Sequence, residues 1–128
     1  MIERLDHLVL TVADIARTVD FYRRVLGMQH QVFGQGRSAL VFGQQKFNLH
    51  QQGQEFEPKA KRPTPGAIDL CLITRWSIDA VLEHLAQQGV SVEEGPVMRS
   101  GALGPIQSVY FRDPDGNLIE VSRYPERP

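Results

Sequence analysis

Polar and apolar residues alternate along Asp6–Val12. Leu8, Leu10 and Val12 fall on one face and His7, Val9 and Thr11 on the other, the pattern of a half-buried β-strand. Asp14 follows as a helix N-cap, and Ile15, Val19, Tyr22, Val25 and Leu26 recur at helical spacing until Gly27, a left-handed stop. The order then repeats. Residues 68–74 read as a strand, Ser77 as an N-cap, Ile78, Val81, Leu82 and Leu85 as a helix stripe, and Gly89 as its end. Asp69 stands 62 residues after His7, and Gly89 stands 62 after Gly27. A shared offset with a shared order of elements indicates an internal duplication.

Shorter strand-like pieces follow each helix: 29–33, 38–42 and 46–51 in the first half, and 91–93, 107–112 and 117–122 in the second. Asp113-Pro114-Asp115-Gly116 marks a tight turn. The expected architecture is therefore α+β. Two tandem βαβββ modules, 4–52 and 67–124, form one domain over residues 1–128 and are joined by the Pro-rich linker 53–66. The linker's basic cluster, Lys59 to Arg62, reads as a solvated face or as the rim of an anion pocket. Trp76 is expected to staple onto Val81. The glycine-rich stretch 99–105 reads as a loop, either an ordinary surface loop or a mobile cover.

Composition narrows the field. A chain of 128 residues with 41% apolar and 23% charged residues buries a proper core. Its formal charge of −1 argues against binding nucleic acid through bulk electrostatics. No apolar run is long enough to span a membrane and the first residues are not a signal peptide, so a cytoplasmic location is expected. The single cysteine, Cys71, excludes an intrachain disulfide and a thiolate zinc cluster.

If the helices cover one face of each sheet, the polar residues of the opposite face carry the chemical interest. These are His7, Asn48 and His50 in the first half, and Asp69, Cys71, Glu120 and Ser122 in the second. The repeat suggests that His7 matches Asp69 and that His50 matches Glu120. Two imidazoles and one or two carboxylates make a mixed nitrogen and oxygen donor set for a divalent metal ion with open positions. The same residues also serve as ordinary hydrogen-bonded strand positions, and spacing alone leaves both readings open. Tyr110, with Arg99 and Arg37, is a candidate for binding substrate, the arginines through a carboxylate.

Three segments carry a family resemblance: Asp6-His7-Leu8-Val9-Leu10, Phe21-Tyr22-Arg23-Arg24-Val25-Leu26-Gly27, and the run from Phe111 to Glu120 (FRDPDGNLIE). They resemble the vicinal oxygen chelate superfamily of glyoxalase I, fosfomycin-resistance transferases, bleomycin-binding proteins and extradiol dioxygenases. Segments KFNLHQ, EFEPKA, RPTPGAIDLCLIT and EGPV are similar to single-domain, lactoylglutathione-lyase-like, virulence-associated bacterial proteins. The resemblance implies a cup-shaped sheet around a cleft and a divalent ion (Ni, Zn, Co, Mn or Fe) held by His7, His50 and Glu120. Asp69 stands where many members have His. It also implies a small oxygenated substrate, with Glu120 moving a proton in a lyase or isomerase reaction. The alternatives are a non-catalytic drug binder, an Fe(II) dioxygenase and a fosfomycin transferase. Finally, it implies a homodimer in which each site joins His7 and His50 of one chain to Glu120 and Asp69 of the other; the alternative is a monomer whose own modules clasp one site across the linker 53–66.

Overall fold

A computed structural model describes residues 1–126. Its elements run β1 (His7–Val12), α1 (Ile15–Leu26), β2 (Gln29–Phe33), β3 (Arg37–Phe42), β4 (Gln45–Gln51), β5 (Asp69–Ile73), α2 (Ile78–Gln87), β6 (Glu94–Gly101), β7 (Gly104–Arg112) and β8 (Leu118–Arg123). The α+β class and the doubled βαβββ order both hold. One sheet is ordered β1-β4-β3-β2 and the other β5-β8-β7-β6. In each, the strand before the helix pairs in parallel with the last strand of its repeat, and the other pairings are antiparallel. Chain contacts divide the molecule into two units. Among the described residues, the first comprises 1–68 with 114–116, and the second 69–113 with 117–126. Segment 53–66 thus belongs to the first unit.

The helices begin and end where their cap residues dictate. The Asp14 carboxylate accepts from Arg17 N at 3.0 Å, and Gly27 closes α1 at φ +69°. Ser77 Oγ accepts from Ala80 N at 3.1 Å at the head of α2. Such caps satisfy backbone donors that the helix itself leaves unpaired, for about 1 kcal/mol each.

In the first unit, α1 lays Val19, Tyr22 and Val25 on Leu10, Val12, Leu40, Phe47 and Leu49, all buried. Tyr22 stands edge-on to Phe47 at 5.9 Å. In the second unit, Val81 and Leu85 of α2 join Val109, Phe111, Ile119 and Val121 in a buried core. Each fully buried aliphatic or Phe side chain contributes about 1.5–3 kcal/mol. The helix-covered faces are the apolar ones that the alternation anticipates. That fixes which residues the opposite faces carry.

Two expectations fail. Strand β6 spans Glu94–Gly101 rather than 91–93, and it pairs with a longer β7 to form a hairpin through Ala102 and Leu103. The expected glycine-rich loop or cover over 99–105 is therefore strand and tight turn. Gly101 and Gly104 face each other at the hairpin end, and the turn is tied down where Leu103 N donates to the Tyr124 hydroxyl at 3.0 Å. Pro105 is tolerated because β8 begins pairing only at Gln107, so its position needs no amide donor towards that side. Trp76 lies largely exposed, with its ring edge-on to His84 at 5.6 Å.

Candidate functional site

On the uncovered face of the second sheet, register places Cys71, Glu120, Tyr110 and Glu94 in one row across β5, β8, β7 and β6. Ser122 and Ser108 are in the next row. Residues directly opposite one another share a face, and this row is hydrogen-bonded throughout. Ser108 Oγ donates to Glu120 Oε2 at 2.6 Å, and Ser122 Oγ lies 3.2 Å from the same oxygen. The two hydroxyls are 2.7 Å apart, and both serines have no solvent exposure. The Cys71 sulfur is 3.2 Å from Ser122 Oγ. Burial pushes this thiol above its ordinary range, with the Ser122 contact opposing, so it stays a neutral thiol rather than a nucleophile.

Farther along the row, Arg99 Nε donates to the Tyr110 hydroxyl at 3.1 Å, and its Nη2 donates to Glu94 at 3.0 Å. Burial raises the proton affinity of the Tyr110 hydroxyl, the Arg99 bond lowers it, and the nearby Glu120 charge raises it further. Arg99 and Tyr110, proposed from sequence as separate substrate contacts, are thus partners, and Glu94 joins them. Sequence reasoning missed Glu94, because its pairing depends on the β6 hairpin. Arg112 makes a two-bond contact with Glu93 at 3.0 and 2.9 Å.

On the uncovered face of the first sheet, His7 Nδ1 is 2.8 Å from Asp6 Oδ2. Their hydrogen bond holds the Asp6 carboxyl below its usual value. A carboxylate on Nδ1 selects the tautomer with a free lone pair on Nε2, as metal-binding histidines require. Asp6, adjacent in sequence to His7, is a partner that strand alternation alone does not single out. Arg37 places its guanidinium 4.3 Å from the centre of the Phe56 ring and 5.6 Å from that of Phe33.

Register corrects the expected matching of positions between the repeats. Val9 pairs with Asn48 and Thr11 with His50, whereas Cys71 pairs with Glu120 and Ile73 with Ser122. The repeat mate of Glu120 is therefore Asn48, and that of His50 is Ser122. His50 lies opposite a residue four places beyond His7, which is about 13 Å along the strand. His50 is buried, with its ring edge-on to Phe56 at 5.6 Å. Burial lowers its proton affinity, and Arg37 adds to the effect.

His7 with Asn48, and Asp69 with Glu120, form equivalent diagonal pairs, each about 7–8 Å across. Asn48 Oδ1 is a buried oxygen with no hydrogen-bond partner among the described residues. Among those residues, no three His, Cys, Asp or Glu side chains of the chain gather closely enough to hold an ion. Each pair offers donors of the kind a divalent ion takes: an imidazole and the unpaired Asn48 carboxamide oxygen on the first sheet, and two carboxylates on the second.

The duplicated βαβββ fold and these paired polar positions define a class of protein, and sequence comparison names it. Residues 4–121 match the Glyoxalase/Bleomycin resistance protein/Dioxygenase superfamily, and the chain belongs to it. It is 60% identical over 124 residues to Virulence protein STM3117 of Salmonella typhimurium, covering 97% of this chain and 86% of that protein. The crystal structure of that protein superposes with a TM-score of 0.96, covering 98% of this chain and 99% of the other. The Glyoxalase domain-containing protein RDO1 of Mycosarcoma maydis is 58% identical, over 96% of this chain and 69% of its own length. Two solved structures share the fold at lower identity. A lactoylglutathione lyase from Agrobacterium tumefaciens has 22% identity and a TM-score of 0.74, covering 96% of this chain and 95% of its own. TnmS3, an antibiotic binding protein from Streptomyces, has 23% identity and a TM-score of 0.76, covering 97% and 98%. No helix among the described residues is long and apolar enough to cross a membrane.

Proposed function

We propose that this chain is a divalent-metal-dependent lyase or isomerase acting on a small oxygenated substrate, with Glu120 as the group that moves the proton. The observation that carries this reading is the clamped carboxylate: Ser108 and Ser122 both approach Glu120 Oε2. Oε2 is anchored from positions that exclude solvent, which leaves Oε1 to meet a substrate C–H at a fixed angle. Prior positioning of this kind removes orientational entropy from the barrier. His7, with Nε2 freed by Asp6, and Glu120 are the principal ligands in this reading, with Asp69 beside them and Asn48 as a weak fourth donor. When bound, the ion would polarise substrate oxygens as a Lewis acid. Tyr110 and Arg99 would orient the substrate by hydrogen bonds. A homodimer would bring the His7–Asn48 pair of one copy to the Asp69–Glu120 pair of the other, in a two-fold arrangement.

The test is metal content together with turnover. Protein purified without chelator is expected to carry about one divalent ion per chain. It should convert the hemithioacetal of methylglyoxal and glutathione when loaded with Mn, Co, Ni, Zn or Fe, and Glu120→Gln should lose that activity. Full activity in Glu120→Gln, or none in a metal-loaded wild type, would reject the assignment.

A second reading has its own observation. Asn48 stands where the repeat has Glu120, so the donor set contains a neutral amide in place of a charged ligand. That substitution suits a protein that sequesters a small molecule without chemistry, and TnmS3, of similar fold, is an antibiotic binding protein. Saturable binding of an aromatic drug by metal-free protein, without turnover, would support it.

A further inference from the structure

Segment 58–68 does more than connect the two repeats. It lies against the uncovered face of the first sheet and encloses a cavity of about 310 Å³, floored by Val9 and Thr11 of β1 and His50 of β4. At one end the segment follows a turn in which Gln54 N donates to Gln51 O at 2.9 Å and Gly53 N donates to the Glu55 carboxylate at 2.8 Å. At the other, Gly66, at φ +81°, passes so close to the Asp115 carbonyl that a Cβ would sit 2.5 Å from its oxygen.

The lining has a definite polarity. His50 is only 4% exposed, its ring lines the cavity, and its ring nitrogens are free to bond whatever enters. Lys59 and Arg62 also line the cavity, and no carboxylate does. Lys59 is shared with Glu57 at 2.7 Å, while Arg62 has no ion pair among the described residues. Pro63, Ala67 and Ile68 complete an apolar wall with Val9.

We propose that this cavity binds a small monocarboxylate with a flat apolar body. One partly compensated cation and one free cation match a single negative charge. The carboxylate pairs with Arg62, whose planar fork suits it, and one of its oxygens accepts from the His50 ring N–H. The apolar body fills the space against Val9, Pro63, Ala67 and Ile68. A volume near 310 Å³ is at the small end of the range for ligand pockets, about 300–1,000 Å³, which favours a ligand with a single ring. The site uses neither Glu120 nor Asp69, so it stands or falls independently of the metal chemistry proposed above.

Sodium benzoate is the probe, benzamide its neutral isostere, and inorganic phosphate the anion without a body. Each is titrated into the full chain at fixed pH and ionic strength while the ring signals of His50 are followed by NMR, assigned through His50→Gln. The expected result is a saturable shift of the His50 signals with benzoate, while those of His30 and His84 stay still. Benzamide and phosphate should each bind at least about tenfold more weakly. Arg62→Gln, a change at an exposed position, should weaken benzoate by about tenfold or more. A linear drift without saturation overturns the site. Equal binding of benzamide, equal binding of phosphate, or indifference to Arg62→Gln overturns the assigned ligand class.

Discussion

Asn48 holds in the first sheet the position that Glu120 holds in the second: each lies opposite the third residue of its sheet's first strand, Val9 or Cys71. One is a neutral amide with a buried, unpaired oxygen. The other is a carboxylate clamped by two serines. Asn48→Asp restores charge symmetry between the repeats. In metal-free protein the buried carboxylate should cost about 2 kcal/mol or more of stability, seen as an earlier urea midpoint. Added Mn²⁺ should then raise the melting temperature of the variant more than that of the wild type. An unchanged melting temperature in both proteins would argue against an ion at this face.

Ser108→Ala removes a hydroxyl that donates to a carboxylate from a fully buried position. The expected loss is about 1.5–3 kcal/mol. Because Ser108 acts through Glu120, the double variant Ser108→Ala/Glu120→Gln should lose clearly less than the sum of the two single changes. Simple additivity in equilibrium unfolding would show that the contact carries no coupling.

Acid should weaken the fold through His50. Burial lowers the proton affinity of its ring below the ordinary value of 6.5, with Arg37 assisting and Glu55 opposing. On acidification, the unfolded chain therefore takes up a proton that the folded chain resists. Stability from this group is complete above 6.5 and falls as pH drops below that value towards the folded-state value. Urea unfolding from about pH 7.5 down to about pH 5.5 should show this slope in the wild type and a shallower one in His50→Gln. Identical slopes would remove His50 as the cause.

Gly95 sits at the bulge of β6 with φ +111°. A Cβ there would lie 2.5 Å from the Ser108 carbonyl oxygen and 3.0 Å from Val109 Cα. Both neighbours are backbone and cannot turn aside, so Gly95→Ala combines left-handed strain with a clash. The expected cost is about 3 kcal/mol, or roughly a 10 °C drop in melting temperature. A loss under about 0.5 kcal/mol would mean that the bulge relaxes freely.

The duplicated βαβββ order, both helix starts, and the face of each strand that turns away from its helix are legible in the order of residues alone. These follow from local rules: the two-residue period of strands, the 3.6-residue period of helices, and the cap chemistry of Asp14 and Ser77. Strand register is set by pairing in three dimensions, and register decides which residues are neighbours. A slip of two residues keeps a side chain on the same face, so alternation cannot tell Asn48 from His50 as the mate of Glu120, whereas strand pairing can. The β6–β7 hairpin was hidden for a related reason. Its residues, rich in Gly, Ser and Pro, have little strand propensity, and pairing with the long β7 supplies what they lack. The cavity over His50 depends on where segment 58–68 lies, and no periodicity in the sequence encodes the path of a segment without regular structure.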